Sequence, residues 1–229
     1  MTELLDWKDG VPWSERFEDI YYSRSDGLAE SRYVFLQGNR VSERWQKKSI
    51  FRINETGFGT GLNFLATWQL WRETRAQDSW LYFESIEGFP LDRGQLKLIH
   101  QEWRELKALS KMLLAVNNSS GELLPDWQEW PEERITLRLH YAEVLPALRV
   151  MQPNQVDAWF LDGFSPKKNP EMWTRDVLRE VARITCPQGT CATYTAASHV
   201  RKSLEDSGFV MQKIKGFAQK REMLHGCKL

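Results

Sequence analysis

The sequence predicts an α/β protein with a mostly parallel β-sheet, an antiparallel C-terminal strand and an N-terminal extension. From about residue 50 onward, short apolar runs alternate with segments whose apolar residues recur every three or four positions. Strands that alternate with helices form parallel sheets with helices on both faces. The last two apolar runs flank a short turn at Gly216, so they must be antiparallel to each other.

The elements follow one another at regular intervals. The predicted strands cover residues 51–56, 81–86, 135–139, 156–161, 190–195, 209–215 and 221–224. The predicted helices cover residues 62–71, 92–116, 144–150, 171–185 and 198–208. Pro187 and Gly189 should stop the fourth helix, Ser198 should cap the fifth, and residues 117–121 read as a loop. We therefore expect a domain over residues 50–229 and an aromatic-rich extension, residues 1–49, packed on it.

Composition limits the classes of function. The chain carries 31 Lys and Arg against 31 Asp and Glu, but residues 151–229 hold 12 against 8, a net charge of +4 balanced by −4 elsewhere. One basic face for RNA phosphates is compatible with these counts, as is an ordinary mixed surface. The three cysteines and four histidines match no metal motif, so we expect no metal site. No signal peptide or apolar run of ~20 residues is present, so we expect a cytoplasmic protein without a membrane span.

The strongest motif is the glycine loop at residues 55–63, Glu-Thr-Gly-Phe-Gly-Thr-Gly-Leu-Asn, between the first core strand and a helix. Small residues let the backbone approach a ligand, and the helix that follows presents free N–H groups. The dinucleotide pattern G-x-G-x-x-G fails, because its third glycine falls on Leu62 or Phe64. The observed G-x-G-x-G spacing is the one used for S-adenosylmethionine, although a simple tight turn is the alternative. The antiparallel C-terminal strand also suits a methyltransferase better than a dehydrogenase.

Two acidic residues follow neighbouring strands where such a cofactor would lie. Glu87 comes directly after the second strand and is placed to bind the ribose hydroxyls, whereas Glu84 lies inside the strand. Glu143 follows the third strand and could accept from the adenine amino group, but acids also favour helix starts for other reasons. The candidate cofactor-binding residues are Glu55, Gly57, Gly59, Thr60, Gly61, Asn63, Glu87 and Glu143.

The fourth strand ends in Asp162-Gly163-Phe164, and Pro166 and Pro170 stiffen the loop beyond it. A buried strand that ends in an acid, a glycine and an aromatic is typical of a catalytic loop. Asp162 would then lie beside the methyl group of the cofactor. A turn capped by Asp162 is the alternative.

Four segments carry a resemblance to one known family: residues 22–35, 55–64, 157–166 and 213–224. Together they resemble the methyltransferase domain of the bacterial tRNA 5-methylaminomethyl-2-thiouridine biosynthesis proteins, the MnmC family. The resemblance extends from about Trp13 to the end, and it departs from the family where Ala142-Glu143 replaces the usual Gly-Asp. It implies methylation of 5-aminomethyl-2-thiouridine at the tRNA wobble position. It also implies that an FAD-dependent oxidase, fused or separate, supplies the aminomethyl group.

The chemistry of methyl transfer suggests roles for the remaining candidates. Asp162 would accept an amine N–H, and Phe164 would stack on a base that is flipped out of the anticodon loop. The candidate tRNA contacts are Tyr22, Lys167, Lys168, Lys220 and Arg221. Three other readings stay open: a methyltransferase for another amine, a non-catalytic RNA-binding module, and, disfavoured by the glycine spacing, an NAD-dependent oxidoreductase.

Overall fold

The computed structural model describes residues 5–23, 26–115 and 123–229, so the predicted loop at 117–121 lies outside the described residues. Three short strands, β1 (Leu5–Lys8), β2 (Val11–Ser14) and β3 (Asp19–Ile20), form a small antiparallel sheet. Helix α1 (Gly27–Ser31) then continues into a π-helical segment, Arg32–Gln37, and α2 (Val41–Trp45) follows. Asp26 caps α1 by accepting from the Ala29 N–H.

The main sheet has eight strands in the order β10-β11-β9-β8-β4-β5-β7-β6. Its strands are β4 (Ile50–Thr56), β5 (Trp80–Ile86), β6 (Trp127–Trp130), β7 (Ile135–His140), β8 (Val156–Leu161), β9 (Thr185–Thr193), β10 (Phe209–Lys215) and β11 (Glu222–Lys228). The five central strands pair in parallel, while β6, β10 and β11 join antiparallel. The predicted mostly parallel sheet with an antiparallel C-terminal strand is confirmed.

Helices cover both faces of this sheet, as predicted. The α-helices that follow α2 are α3 (Leu62–Thr74), α4 (Arg93–Ile99), α5 (Lys107–Ala115), α6 (Val144–Val150), α7 (Arg175–Ile184) and α8 (Ser198–Asp206). One apolar cluster joins α3, α4 and α5 to the sheet, and a second joins α6, α7 and α8. Strand β8 is buried along its whole length because it contributes side chains to both clusters.

The described residues before position 50 share the first apolar cluster with the sheet. Val34 and Phe35 are buried there, and the Phe35 ring stacks on Phe160 of β8 with 5.3 Å between ring centroids. Trp45 lies edge-on to Trp71 of α3 at 5.2 Å. This segment therefore packs on the sheet through ordinary core contacts, and the proposed division at residue 49 stays a prediction.

Several predictions about the elements need correction. The long helix over 92–116 is broken, because Trp103 has non-helical backbone angles between two 3₁₀ segments, His100–Glu102 and Arg104–Leu106. The Trp103 ring meets Tyr22 edge-on at 5.7 Å, a tertiary contact that the helical spacing does not reveal. Strand β6 was missed altogether.

Three further corrections concern the start of α7, the start of β9 and the cap of α8. Helix α7 starts at Arg175 because Thr174 caps it by accepting from the Val177 N–H. Pro187 and Gly189 lie inside β9 rather than between helix and strand. In this part of β9 the register with β8 shifts between Val156 and Ala158. Ser198 is the first residue of α8 and forms no cap; Ala197 precedes it without a capping bond.

Within the described ranges no helix is long and apolar enough to cross a membrane. The same ranges contain no group of three or more His, Cys, Asp or Glu side chains placed to hold a metal ion.

Candidate active site

The carboxyl ends of the parallel strands open into a cavity of about 710 Å³. This is the edge of an α/β sheet where ligands ordinarily bind. Strands β7, β5, β4, β8 and β9 each contribute the residues that follow them, and the N-terminal segment closes one side. Ten of the predicted site residues line it: Tyr22, Gly57, Gly59, Thr60, Asn63, Glu87, Glu143, Asp162, Phe164 and Lys220.

The glycine loop between β4 and α3 needs its glycines. Gly57, Gly59 and Gly61 have φ angles of +82°, +52° and +75°, a region that side chains rarely adopt. A Cβ at Gly57 would lie 3.2 Å from Gly163 Cα, and one at Gly61 would lie 2.9 Å from the Phe58 ring. Gly57 therefore lets the loop pass close to the Asp162 loop, and Gly61 leaves room for the Phe58 ring.

A buried histidine supports the same loop from below. His100 Nε2 lies 2.8 Å from the Thr60 carbonyl oxygen, and its Nδ1 lies 2.8 Å from Ser110 Oγ. Burial lowers the pKa of His100 to about 4, so the ring is neutral at physiological pH. A neutral ring that donates from Nε2 to Thr60 and accepts the Ser110 hydroxyl at Nδ1 satisfies both contacts.

Glu87 also holds the glycine loop. Its carboxylate accepts the Gly59 N–H at 2.8 Å through Oε2 and the Phe89 N–H at 2.8 Å through Oε1. Both bonds fix the carboxylate in the wall of the cavity. Glu143 occupies the N-cap position of α6, makes no capping bond, and lies exposed at the cavity edge.

Asp162, directly after β8, is oriented by uncharged donors. Asn63 donates to Oδ2 at 2.7 Å and the Gly163 N–H donates to Oδ1 at 2.8 Å. Thr56 Oγ1 holds the backbone by donating to the Asp162 carbonyl at 2.8 Å. Burial raises the pKa of Asp162 to about 6, although the two hydrogen bonds that its carboxylate accepts oppose the shift.

Glu55 lies behind the wall and does not line the cavity. It is 1% exposed and accepts from Asn63 Nδ2 at 2.8 Å and from Ser85 Oγ at 2.7 Å. Burial raises the pKa of Glu55 well above its ordinary range, and the nearby Asp162 charge adds to the shift. The side-chain amide of Asn63 thus donates to two carboxyl groups, those of Glu55 and Asp162, and its oxygen accepts from Ser31 Oγ at 2.5 Å.

Phe164 stands in an aromatic wall. Its ring stacks on Phe17 with 4.6 Å between centroids and meets Tyr21 edge-on at 5.2 Å. Asp19 ties this wall to the Asp162 loop by accepting the Ser165 N–H at 3.1 Å. One face of Phe164 is therefore occupied by the N-terminal segment, and the wall consists of several rings rather than one.

The predicted cationic contacts occupy two different environments. Lys220 lies in the cavity wall, where its Nζ is 2.6 Å from Glu30 Oε1 and 4.7 Å from the centre of the Tyr194 ring. Lys167 and Arg221 are exposed, and Lys168, also exposed, pairs with Glu18 at 2.9 Å. Tyr22 lines the cavity beside Trp103, its ring edge-on at 5.7 Å.

The cavity residues that the sequence prediction missed include Phe17, Asp19, Tyr21, Glu30 and Tyr194. Tyr194 follows β9 directly, so the rule that ligands lie at strand ends could have indicated it. Glu30 lies inside the quoted segment 22–35. Nothing local marks Phe17 or Asp19, whose partners Phe164 and Ser165 are more than 140 residues away.

Comparisons with known proteins agree with this geometry. Residues 109–229 match the protein family described as S-adenosyl-L-methionine-dependent methyltransferase. The chain is 44% identical to the tRNA 5-methylaminomethyl-2-thiouridine biosynthesis bifunctional protein MnmC of Nitrosospira multiformis, and 42% identical to the protein of that name from Aliivibrio fischeri. Each alignment covers 97% of this chain but only 36% and 34% of the relatives, so the chain spans about a third of their length.

Solved structures show the same fold. The crystal structure of MNMC2 from Aquifex aeolicus is 26% identical, with a TM-score of 0.73 over 99% of this chain and 70% of that one. Spermidine synthase from Thermotoga maritima, at 9% identity, has a TM-score of 0.55 over 98% and 71% of the two chains and shares the fold. Because the family match spans just over half of the sequence, the chain belongs to the S-adenosyl-L-methionine-dependent methyltransferases.

Proposed function

We propose that this protein methylates the amino group of 5-aminomethyl-2-thiouridine at the wobble position of tRNA, forming 5-methylaminomethyl-2-thiouridine. The observation that carries the proposal is Asp162, a carboxylate oriented by neutral donors at the end of β8 in the cavity of a methyltransferase. The names of the two bacterial relatives point to the same modified nucleoside.

The residues of the cavity fit S-adenosylmethionine. The left-handed glycines give the ligand access to the backbone, and the carboxylates of Glu87 and Glu143 suit the ribose hydroxyls and the adenine amino group. Thr60 lines the cavity just before α3, whose first N–H groups follow at Leu62. Glu143, one methylene longer than the family's usual acid, can still reach because it is exposed and uncapped. Glu55 and Asn63 serve this site by holding Asp162 rather than by contacting the nucleoside.

Asp162 is the proposed acceptor for a proton of the substrate amine. A primary alkyl amine is mostly protonated at neutral pH and has no free lone pair in that form. When bound, S-adenosylmethionine supplies an electrophilic methyl group. The Asp162 carboxylate would accept one proton from the ammonium group, which leaves a neutral amine with a free lone pair. This lone pair would form the new N–C bond as the bond between the methyl carbon and the sulfonium sulfur of the bound cofactor breaks, with both electrons going to sulfur and S-adenosylhomocysteine leaving. A pKa near 6 suits this role, because the group is mostly ionised at pH 7 and still basic enough to take a proton.

The aromatic wall receives the base. A wobble uridine must leave its stack to reach a cavity of this depth, and aromatic rings compensate for the lost stacking. Phe164 and Tyr21, with Tyr22 farther along the N-terminal segment, line the cavity on the Asp19 side. Lys167, Lys168 and Arg221 lie exposed outside it and are our proposed contacts for anticodon phosphates.

The aminomethyl substrate must come from an oxidation that exposes the primary amine. The bifunctional relatives are about three times as long as this chain, so we propose that an FAD-dependent oxidase, fused or separate, precedes it in the reaction order.

The test is transfer of labelled methyl from S-adenosylmethionine to bulk tRNA that lacks the final methyl group, followed by nucleoside analysis. We expect label in 5-methylaminomethyl-2-thiouridine and none in tRNA transcripts without the aminomethyl group. Label in a small amine, but not in tRNA, would overturn the proposed acceptor and leave the methyltransferase assignment intact.

A further inference from the structure

Asn169 is a buried side chain in an otherwise exposed stretch of the loop after β8. Its neighbours Lys167, Lys168 and Pro170 are exposed, whereas Asn169 is only 8% exposed and lines the cavity. A tight turn produces this placement, because the N–H groups of Lys168 and Asn169 both donate to the Ser165 carbonyl, at 2.8 and 2.9 Å. The turn returns the chain to the cavity wall directly after the two exposed lysines.

The fold gives the Asn169 amide no partner among the described residues. Asn169 precedes a 3₁₀ segment, Pro170–Trp173, at a position where asparagine often accepts a backbone N–H, yet its side chain makes no such capping bond. No other hydrogen bond within the described ranges reaches this amide. A buried amide without partners is costly, so a group that enters the cavity is expected to supply them.

The position of this turn indicates the acceptor rather than the cofactor. Trp173 Nε1 donates to the Phe164 carbonyl at 3.0 Å, and a Cβ at Gly163 would lie 2.7 Å from Met172 Cε. The 3₁₀ segment therefore packs directly on the loop that follows β8. The carboxylates suited to the nucleoside of the cofactor follow β5 and β7, on the other side of β4.

The chemistry of the proposed substrate fits an amide at this place. In 5-aminomethyl-2-thiouridine the aminomethyl group is on C5, the next ring carbon carries O4, and N3–H follows O4. The edge with O4 and N3–H is thus adjacent to the amine that must reach Asp162. A carboxamide offers one N–H donor for O4 and one oxygen acceptor for N3–H. Asparagine forms such paired bonds to bases, and flipped bases are recognised at this same edge.

We propose that Asn169 binds the Watson–Crick edge of the acceptor base, with Nδ2 donating to O4 and Oδ1 accepting from N3–H. The aromatic wall at Phe164 then contacts the face of the ring, and Asn169 selects the uracil by its edge. Together the two contacts fix the base while its C5 substituent extends toward Asp162. This inference rests on the proposed tRNA acceptor.

The test uses two synthetic anticodon stem-loops that differ by one methyl group. Both carry 5-aminomethyl-2-thiouridine at the wobble position, and in one of them N3 is methylated. In the unaltered protein the N3 methyl group should lower kcat/KM for methyl transfer by about 10–100-fold, because it removes the N3–H donor and blocks the approach of Asn169.

Asn169→Ala should lose a similar factor on the stem-loop without the N3 methyl group. The added methyl should then cause little further loss, since alanine neither accepts from N3–H nor occupies that space. The affinity for S-adenosylhomocysteine, measured by calorimetry, should equal that of the unaltered protein.

Gln155→Ala is the matched control. Gln155 carries the same carboxamide group, is exposed directly before β8 and does not line the cavity. This variant should discriminate between the two stem-loops as strongly as the unaltered protein.

Thermal unfolding and S-adenosylhomocysteine binding verify that each variant is folded. If Asn169→Ala does not fold, Asn169→Asp replaces it: the shape is retained, but a carboxylate cannot donate to O4, so kcat/KM should fall about tenfold or more. An unchanged kcat/KM in Asn169→Asp, or an equal effect of the N3 methyl group in Asn169→Ala and the unaltered protein, would overturn the base subsite alone. No methyl transfer to either stem-loop by the unaltered protein would overturn the proposed acceptor and the subsite together.

Discussion

Strand β8 carries an aspartate near each end, and the two have opposite surroundings. Asp157, at the amino end, is 4% exposed, forms an ion pair with Lys48 and accepts the Arg52 N–H at 2.8 Å. Asp162, at the carboxyl end, faces the cavity and accepts only from the neutral Asn63 amide and the Gly163 N–H. Asp157 has a cation as partner inside the protein, whereas Asp162 is held in position for a partner that comes from outside.

The contrast separates stabilisation from chemistry. A carboxylate that is fully paired contributes to the fold, while one oriented by neutral donors in a cavity keeps its basicity for a ligand. The half-buried Arg44 likewise stabilises the amino end of β8, since it donates to the Asp157 carbonyl at 2.9 Å and to Thr190 Oγ1 at 2.6 Å. Substitutions at the two ends of β8 should therefore affect different measurements.

The largest effect is expected at Asp162. Asp162→Asn preserves the shape of the side chain and removes the proton acceptor, so we expect methyl transfer to slow by about 10²–10⁴-fold. Cofactor affinity should stay close to that of the unaltered protein. Parallel loss of turnover and of S-adenosylhomocysteine binding would mean that Asp162 supports the cavity instead.

Asp157→Asn is the control on the same strand. It removes the ion pair with Lys48 and should lower the free energy of unfolding by about 1–3 kcal/mol, measured by urea denaturation. Turnover of the folded fraction should remain within about twofold, because Asp157 lies at the far end of the strand from the cavity. A large loss of turnover here would break the contrast between the two ends.

A smaller effect is expected at Asn63. Asn63→Ala removes a hydrogen bond that lowers the pKa of Asp162, so this pKa should rise above about 6. At pH 7 turnover should fall about tenfold, and the acid limb of the pH–rate profile should move to higher pH. A fall in rate without movement of the limb would show that Asn63 affects packing only.

Folding stability offers a further contrast, between His100 and Asp162. The pKa of His100 is about 4 in the folded protein, below its ordinary value, so the unfolded chain binds the proton first. Stability from His100 is therefore complete above pH 6.5 and is lost as the pH falls toward 4. Asp162, with its pKa raised to about 6, has the opposite sign and adds stability as the pH falls below 6.

His100→Gln isolates the contribution of His100 to the pH dependence of stability, because Gln can still donate to the Thr60 carbonyl but does not titrate. Between pH 7.5 and pH 5 the unaltered protein should lose about 2 kcal/mol more than His100→Gln, measured by urea denaturation. Equal losses in both proteins would show that His100 is not kept neutral in the folded state.

The smallest effect is expected at the exposed lysines. Charge reversal of Lys167 and Lys168 to Glu should weaken tRNA binding several-fold at ~0.1 M salt and flatten its salt dependence. Lys47→Glu, an exposed lysine just after α2, should leave both unchanged. An unaltered salt slope in the Lys167 and Lys168 variant would remove this loop from the tRNA interface.

Much of the fold was predictable because its signals are local. The apolar runs of β4, β8 and β10, the glycines at 57, 59 and 61, and the acid that ends β8 are all contained in short windows. The helix break at Trp103 was not predictable, since the pattern there is otherwise helical and Trp103 packs on Tyr22, which lies far away in the sequence. The short edge strand β6 likewise depends on its partner β7.

The site residues that follow strands were predictable, whereas the contacts between distant segments across the cavity were not. Glu87 and Asp162 follow strands directly, but no local pattern shows that Lys220 meets Glu30 or that Phe164 stacks on Phe17. Glu55 was expected at the cofactor because it begins the glycine motif. Its side chain instead points behind the wall, where it meets Asn63 and Ser85.

The most direct test of the central claim, that Asp162 takes the proton of the acceptor amine, is the pH dependence of single-turnover methyl transfer to tRNA. We predict that the unaltered protein loses activity with an apparent pKa near 6, the value for Asp162. In Asp162→Asn the residual rate should instead follow the higher pKa of the amine itself. The same acid limb in both proteins would contradict the account, because the titrating group would then not be Asp162.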